Sequence, residues 1–168
     1  MEPGPGAQPL LDLVERHYAL LFRYALRLTG SPADAEDLTQ QTFLSAQTKL
    51  GQLRDPENGR AWLCAILRNV YLKKLRERGP QVIHSLDNVP EPAAGTAYDP
   101  PWEQEQLQLV LNELPEEYRS PIILFYFGDF SYKDIAEQMG VPIGTVMSRL
   151  ARAKAYLRKR LAPCSTSL

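Results

Sequence analysis

SYKDIAEQMGVPIGTVMSRL, residues 131–150, reads as two helices broken by a tight turn. Ser131 can cap the first helix, and Asp134 sits three residues on, where a capping box needs its acceptor. Ile135, Ala136 and Met139 fall on one helical face. Gly140 follows, at the place where a chain leaves a helix most cheaply with positive φ. Pro142 cannot continue that helix but suits the start of another. Beyond it, Val146, Leu150, Ala153, Leu157 and Leu161 step by three or four and form an inward stripe. Thr145, Ser148, Arg149, Arg152 and Lys159 fall away from that stripe. This is the pattern of a helix-turn-helix, whose second helix enters a DNA groove.

Charge supports DNA as the ligand. Residues 149–160 hold six basic side chains and no acid. A helix C-terminus favours cations through its dipole, which accounts for Arg158, Lys159 and Arg160. It does not account for Arg149 and Arg152, which lie turns earlier beside short polar side chains. Residues 60–78 form a second basic tract, with six bases and one acid. The chain as a whole has a net charge of −1, so it is no general polyanion binder. Two basic helices in a neutral protein point to directed phosphate contacts.

The pattern outside residues 131–150 is helical throughout. Leu10, Leu13, Val14, Leu21, Tyr24, Ala25 and Leu28 give residues 10–28 an apolar helical face, ended by Gly30. Ser31, Pro32 and Asp34 start a second helix with a cap, a first-turn proline and a capping-box acid. It runs to about residue 50, with Leu38, Thr42 and Ala46 on one face. Residues 51–59 carry a turn signal, Asp55-Pro56-Glu57-Asn58-Gly59. Residues 60–78 form a third long helix, broadly apolar and basic in its last two turns. Residues 80–101 contain five prolines, one glycine and neither Lys nor Arg, the composition of an extended linker. Further helices follow over residues 102–114 and from Pro115 to Gly128. No β-hairpin signal and no solenoid repeat appears. The expected architecture is all-α: two small helical domains joined by a Pro-rich linker, the C-terminal one containing the helix-turn-helix. The boundaries read as a disordered tail over 1–9, a first domain over 10–79, a linker over 80–102, a second domain over 103–162 and a tail over 163–168.

Several function classes lack their residues. There is no G-x-x-x-x-G-K-[ST], no G-x-G-x-x-G and no H-E-x-x-H. His17 and His84 stand alone. Asp34, Glu36 and Asp37 crowd one helix start, where acids complement the helix dipole without any metal. The expectation is therefore a non-enzyme with no cofactor, no metal and no small-molecule substrate. Cys64 and Cys164 form no C-x-x-C pair. Cys64 lies among apolar residues as a buried free thiol, so no disulfide framework is expected. No apolar run approaches membrane-spanning length, and residues 1–9 lack the basic and apolar parts of a signal peptide. A cytoplasmic protein without membrane insertion is expected. Trp62 and Tyr71 share a helix with Lys73, Lys74, Arg76 and Arg78, where aromatics can stack on unpaired bases. Trp62 reads more readily as core, and Tyr71 is open between the two roles.

The motifs in order resemble those of a known family. Asp34-Ala35-Glu36-Asp37-Leu38-Thr39-Gln40-Gln41-Thr42-Phe43-Leu44 resembles the polymerase-binding helix of bacterial sigma factors. Ala61-Trp62-Leu63 with Arg68-Asn69 resembles the promoter-melting helix. Residues 114–119, 132–136 and 144–150 resemble the C-terminal DNA-binding domain. The chain is similar to the extracytoplasmic-function class, which keeps only sigma regions two and four. The resemblance covers residues 10–79 and 103–161.

It implies a subunit that binds core RNA polymerase and directs promoter-specific transcription initiation. Asp37, Leu38, Gln41, Thr42 and Phe43 would lie at the polymerase contact. Arg60, Arg68, Asn69, Lys73, Lys74, Arg76 and Arg78 would engage the −10 element. The preceding loop would hold a flipped base against an unstacking cost of a few kcal/mol. Lys133, Thr145, Met147, Ser148, Arg149, Ala151, Arg152 and Lys154 would meet the −35 element. The acidic linker would run near the polymerase active-site channel. Members of the class are commonly held inactive by an anti-sigma factor, so such a partner is an expectation of the resemblance. Two positions depart from the pattern: Lys73 stands where the family often has an acid, and Met147 where it often has a base. The competing reading of the same residues is a stand-alone helix-turn-helix regulator, which would need no polymerase.

Overall fold

A computed structural model of the chain describes residues 7–80 and 103–161. Seven α-helices and two short 3-10 turns account for the described residues, with no strand among them. The chain divides into two compact units, the first built on the first three helices, the second on the fourth, fifth and seventh with most of the sixth.

In the first unit, α1 (Ala7–Thr29), α2 (Pro32–Lys49) and α3 (Gly59–Arg78) pack pairwise. Leu21, Ala25 and Leu28 of α1 meet Leu38 and Ala46 of α2 and Leu63 and Leu67 of α3 in a fully buried core. Each such leucine contributes about 1.5–3 kcal/mol on burial, the main term holding so small a unit together. The Tyr71 hydroxyl donates to the Leu28 carbonyl at 3.1 Å, tying the basic end of α3 to the end of α1. Gly30 breaks the chain at φ 72, and Ser31 caps α2 by accepting from the Asp34 amide at 3.4 Å. The 3-10 turns Leu50–Gln52 and Pro56–Asn58 bridge α2 to α3.

In the second unit, α7 (Ile143–Leu161) packs on α4 (Gln104–Glu113) and α5 (Glu116–Tyr126), with α6 (Tyr132–Met139) preceding it. Val146, Leu150, Ala153 and Leu157 of the expected stripe are buried and Tyr156 joins them, whereas Leu161 at the helix end is only half-buried. Pro121 sits inside α5, where it costs about 3 kcal/mol in a helix interior. Ile122, Ile123 and Leu124 are each about 1% exposed, and their burial outweighs that cost.

Two helix ends differ from expectation. The expected disordered tail over 1–9 is helical from Ala7, because Pro9 lies in the first turn, where no amide donor is needed, and Gln8 donates to Asp12 at 3.3 Å. The fourth helix stops at Glu113, and Leu114 turns extended ahead of Pro115 as a pre-proline residue should. The linker beyond Pro80, Trp102 and the C-terminal tail lie outside the described residues.

Candidate functional site: a nucleic-acid interface

The turn between α6 and α7 is built from the residues that announce it. The Ser131 hydroxyl accepts from the Asp134 amide at 3.1 Å, and the Asp134 carboxylate accepts from the Ser131 amide at 3.2 Å. This reciprocal box fixes where α6 starts. At its other end Gly140 has φ 65, and the Val141 amide reaches back to the Ala136 carbonyl at 3.1 Å. That six-residue closure satisfies an orphan carbonyl and turns the chain into α7. The Pro142 carbonyl then accepts from the Thr145 and Val146 amides, so the proline precedes the helix and caps its backbone.

With the apolar stripe of α7 buried, the remaining faces are fixed by the 3.6-residue repeat. Gly144, Ser148, Ala151 and Arg152 line the outward side, the first exposed and the others half-buried. Thr145 and Arg149 flank them on one side. Ile143 and Met147 flank them on the other, 49% and 51% exposed. Arg149 lies 3.9 Å from Glu117 of α5, a loose pair open to exchange for a phosphate. Lys154 folds over the rings of Phe125 and Tyr126 at 5.0 and 5.3 Å, so its ammonium lies at the α5 edge of the face. Lys133 is exposed on α6.

The basic end of α7 is less uniform than its sequence. Arg160 donates through Nε and Nη2 to the two oxygens of Glu113 at 2.9 and 2.6 Å. The Tyr156 hydroxyl donates to the same carboxylate at 2.6 Å. Burial first, and then the hydrogen bond to Glu113, push the Tyr156 phenol above its usual range. Arg160 therefore clamps α7 to α4, beyond any dipole preference.

In the first unit the basic tract of α3 lies beside the acidic start of α2. Lys74 is paired with Asp37, and Arg78 lies 3.8 Å from Asp34. These pairs engage two of the three carboxylates that crowd the start of α2. Asn69, Lys73, Arg76 and Arg78 are exposed, and Arg60, Arg68 and Lys74 are half-buried. Tyr71 is buried against α1 and has no face for a base, which closes the stacking role left open for it. Trp62 is half-buried, less enclosed than a core residue. The 3-10 turn over Pro56–Asn58 is capped by Asp55, whose carboxylate accepts from the Glu57 amide at 3.0 Å.

The proposed polymerase face of α2 needs correction at two positions. Leu38 and Thr42 are completely buried, and the Thr42 hydroxyl donates to the Leu38 carbonyl at 2.7 Å. Both side chains belong to the helix-packing core and have no surface to offer a partner. Asp37 is exposed, and Gln41 and Phe43 are half-buried. Phe43 stacks on Tyr18 of α1 with ring centroids 6.3 Å apart. Leu44, absent from the expected set, is 63% exposed beside them. Its signal is in the sequence, because it is an apolar residue out of phase with Leu38, Thr42 and Ala46.

Among the described residues no helix is long and apolar enough to cross a membrane. Comparison with known proteins matches both units. The Sigma-70 region 2 family model matches residues 13–80, and that of Sigma-70, region 4 matches residues 104–157. The chain is 36% identical to the ECF RNA polymerase sigma factor SigL of Mycobacterium tuberculosis, over 89% of this chain and 86% of that one. It is 32% identical to EcfG of Rhodopseudomonas palustris, another ECF RNA polymerase sigma factor, over 91% and 85%. It is also 36% identical to SigE of Mycolicibacterium smegmatis over 96% of this chain, and spans 65% of that protein's length. Among solved structures, the sigma factor RpoE in complex with the anti-sigma factor NepR from Bartonella quintana superposes with a TM-score of 0.69 at 32% identity, covering 89% of this chain and 96% of that one.

Proposed function

The chain belongs to the extracytoplasmic-function sigma factors, and we propose that its two units divide promoter recognition between them. Regions two and four together favour a promoter-directing subunit of RNA polymerase over a stand-alone regulator, which has no use for a region two. The observation that carries the division of labour is α7. Its apolar stripe is buried while Ser148, Arg149 and Arg152 remain at the surface behind a capped turn.

In this reading α7 enters the major groove of the −35 element. Arg152 and Ser148 meet base edges, Thr145, Met147 and Ala151 flank them, and Arg149, Lys133 and Lys154 meet phosphates or the groove edge. A well-placed arginine on guanine is worth ~1–3 kcal/mol of discrimination. In the first unit the exposed Asn69, Lys73, Arg76 and Arg78 of α3 engage the −10 element, joined by the half-buried Arg60, Arg68 and Lys74. The 3-10 turns before α3 form the rim against which a base leaves the stack. Asp37, Gln41, Phe43 and Leu44 on α2 dock on core RNA polymerase. The chain's part is recognition and melting, with no chemistry of its own. RpoE was solved with an anti-sigma factor, and an anti-sigma factor is a proposed partner of this chain too.

Run-off transcription with purified bacterial core RNA polymerase on a pooled promoter library tests this. Initiation at a shared −35/−10 pair only when the chain is present is the expected result. Duplex DNA binding with neither polymerase binding nor initiation would overturn it in favour of the stand-alone regulator.

A further inference from the structure

Ile143 and Met147 stand one turn apart at the start of α7, each about half exposed. We propose that this pair reads the methyl group of a thymine in the −35 element, so that Met147 sets base preference by apolar contact. The inference rests on the proposed docking of α7 in the major groove.

Three observations carry it. The pair lies in the first two turns after the helix-turn-helix corner, the part of a recognition helix that meets base edges. The helix that carries it is cationic: α7 has six basic side chains and no acid along its length. That setting fits a phosphate-lined groove better than an apolar protein surface. The third is chemistry. Neither side chain carries a hydrogen-bond donor, so neither can read the N7 and O6 acceptors of the purines, and the Met147 thioether is only a weak acceptor for the amino groups of adenine or cytosine. The thymine C5-methyl is the apolar group that the major groove presents, and a flexible thioether adapts to it.

The test is run-off transcription with the full chain and core RNA polymerase on templates in which each −35 thymine, on either strand, is replaced singly by deoxyuridine. This removes one methyl and nothing else. The expected result is a loss of about fourfold at one or two positions, the worth of one buried methyl group. Met147→Ala should abolish that difference, and Met147→Lys should move the preference at the same pair toward guanine. Thermal melts check that both variants keep the wild-type fold, as substitution of an exposed side chain should. Deoxyuridine neutral at every position, with dependence on the −35 element otherwise intact, would overturn the methyl contact alone. Equal loss from Met147→Ala on thymine and deoxyuridine templates would overturn it too, placing the pair on a protein. Absence of any −35 dependence would instead strike the proposed function beneath it.

Discussion

The Lys74 ammonium donates to the Asp37 carboxylate, joining a residue of the proposed DNA surface on α3 to one of the proposed polymerase surface on α2. Lys74 is 24% exposed and Asp37 56%. A pair this open is screened, and its coupling should be less than about 1 kcal/mol. A double-mutant cycle of Lys74→Ala and Asp37→Asn, read by thermal unfolding, should give that small value and lose it in high salt. Lys74→Ala should still weaken −10-dependent transcription, because the cation, not the pair, is what DNA uses. A coupling of several kcal/mol would make the pair structural.

Leu44 and Leu38 separate surface from core on α2. Leu44→Glu places a charge on a side chain already in solvent, so the melting temperature should stay near wild type. Its affinity for core RNA polymerase should fall by about tenfold or more, as for a truncated interface anchor. Leu38→Asp buries an unpaired carboxylate at a cost of several kcal/mol, so the first unit should lose its helical circular dichroism. Binding experiments on that variant would report unfolding. Wild-type polymerase affinity in Leu44→Glu would place the docking face elsewhere.

Periodicity and punctuation carried most of the fold. Ser131 with Asp134, Gly140 and Gly30 act within a few residues, so their capping and turning roles were legible before any tertiary contact was known. Exposure was less legible. Leu38 and Thr42 sit inside a motif associated with polymerase binding, yet their i, i+4 spacing with Ala46 is the spacing of a buried stripe, and burial won. Tyr71 stays open between core and stacking in the sequence, because Lys73 and Lys74 follow it. Its hydroxyl partner, the Leu28 carbonyl, comes from a helix far away in sequence, and no local pattern announces it. The Arg160, Tyr156 and Glu113 cluster was hidden for the same reason.

His17 gives the first unit a pH dependence of known sign. Burial chiefly, and then the positive charges of Arg16 and Arg60, hold its imidazole below its usual range. The unfolded chain takes up that proton near pH 6.5, the folded chain only at lower pH. Below about 6.5 the unfolded state therefore binds more protons, and stability falls as pH drops through that window toward the folded value. Urea melts at pH 7.5 and 5.5 should show wild type losing more stability than His17→Gln. The difference should be modest because His17 is only half-buried. Equal losses in the two proteins would assign the slope to other groups.

Cys64 should behave as an inert thiol until the first unit opens. It is 1% exposed, and burial pushes its thiol up to about 12. At pH 8 roughly one in ten thousand such thiols is ionised, against about a quarter for an ordinary cysteine. Access and ionisation thus both oppose alkylation in the folded state. In a Cys164→Ser background Cys64 is the only thiol, and iodoacetamide labelling followed by mass spectrometry reads it alone. Labelling should be slow in buffer and rise with urea in step with the loss of helical signal, since opening is what exposes the sulfur. Fast labelling in buffer, at the rate of a free cysteine, would mean that the packing of α3 against α1 and α2 opens far below the global unfolding free energy.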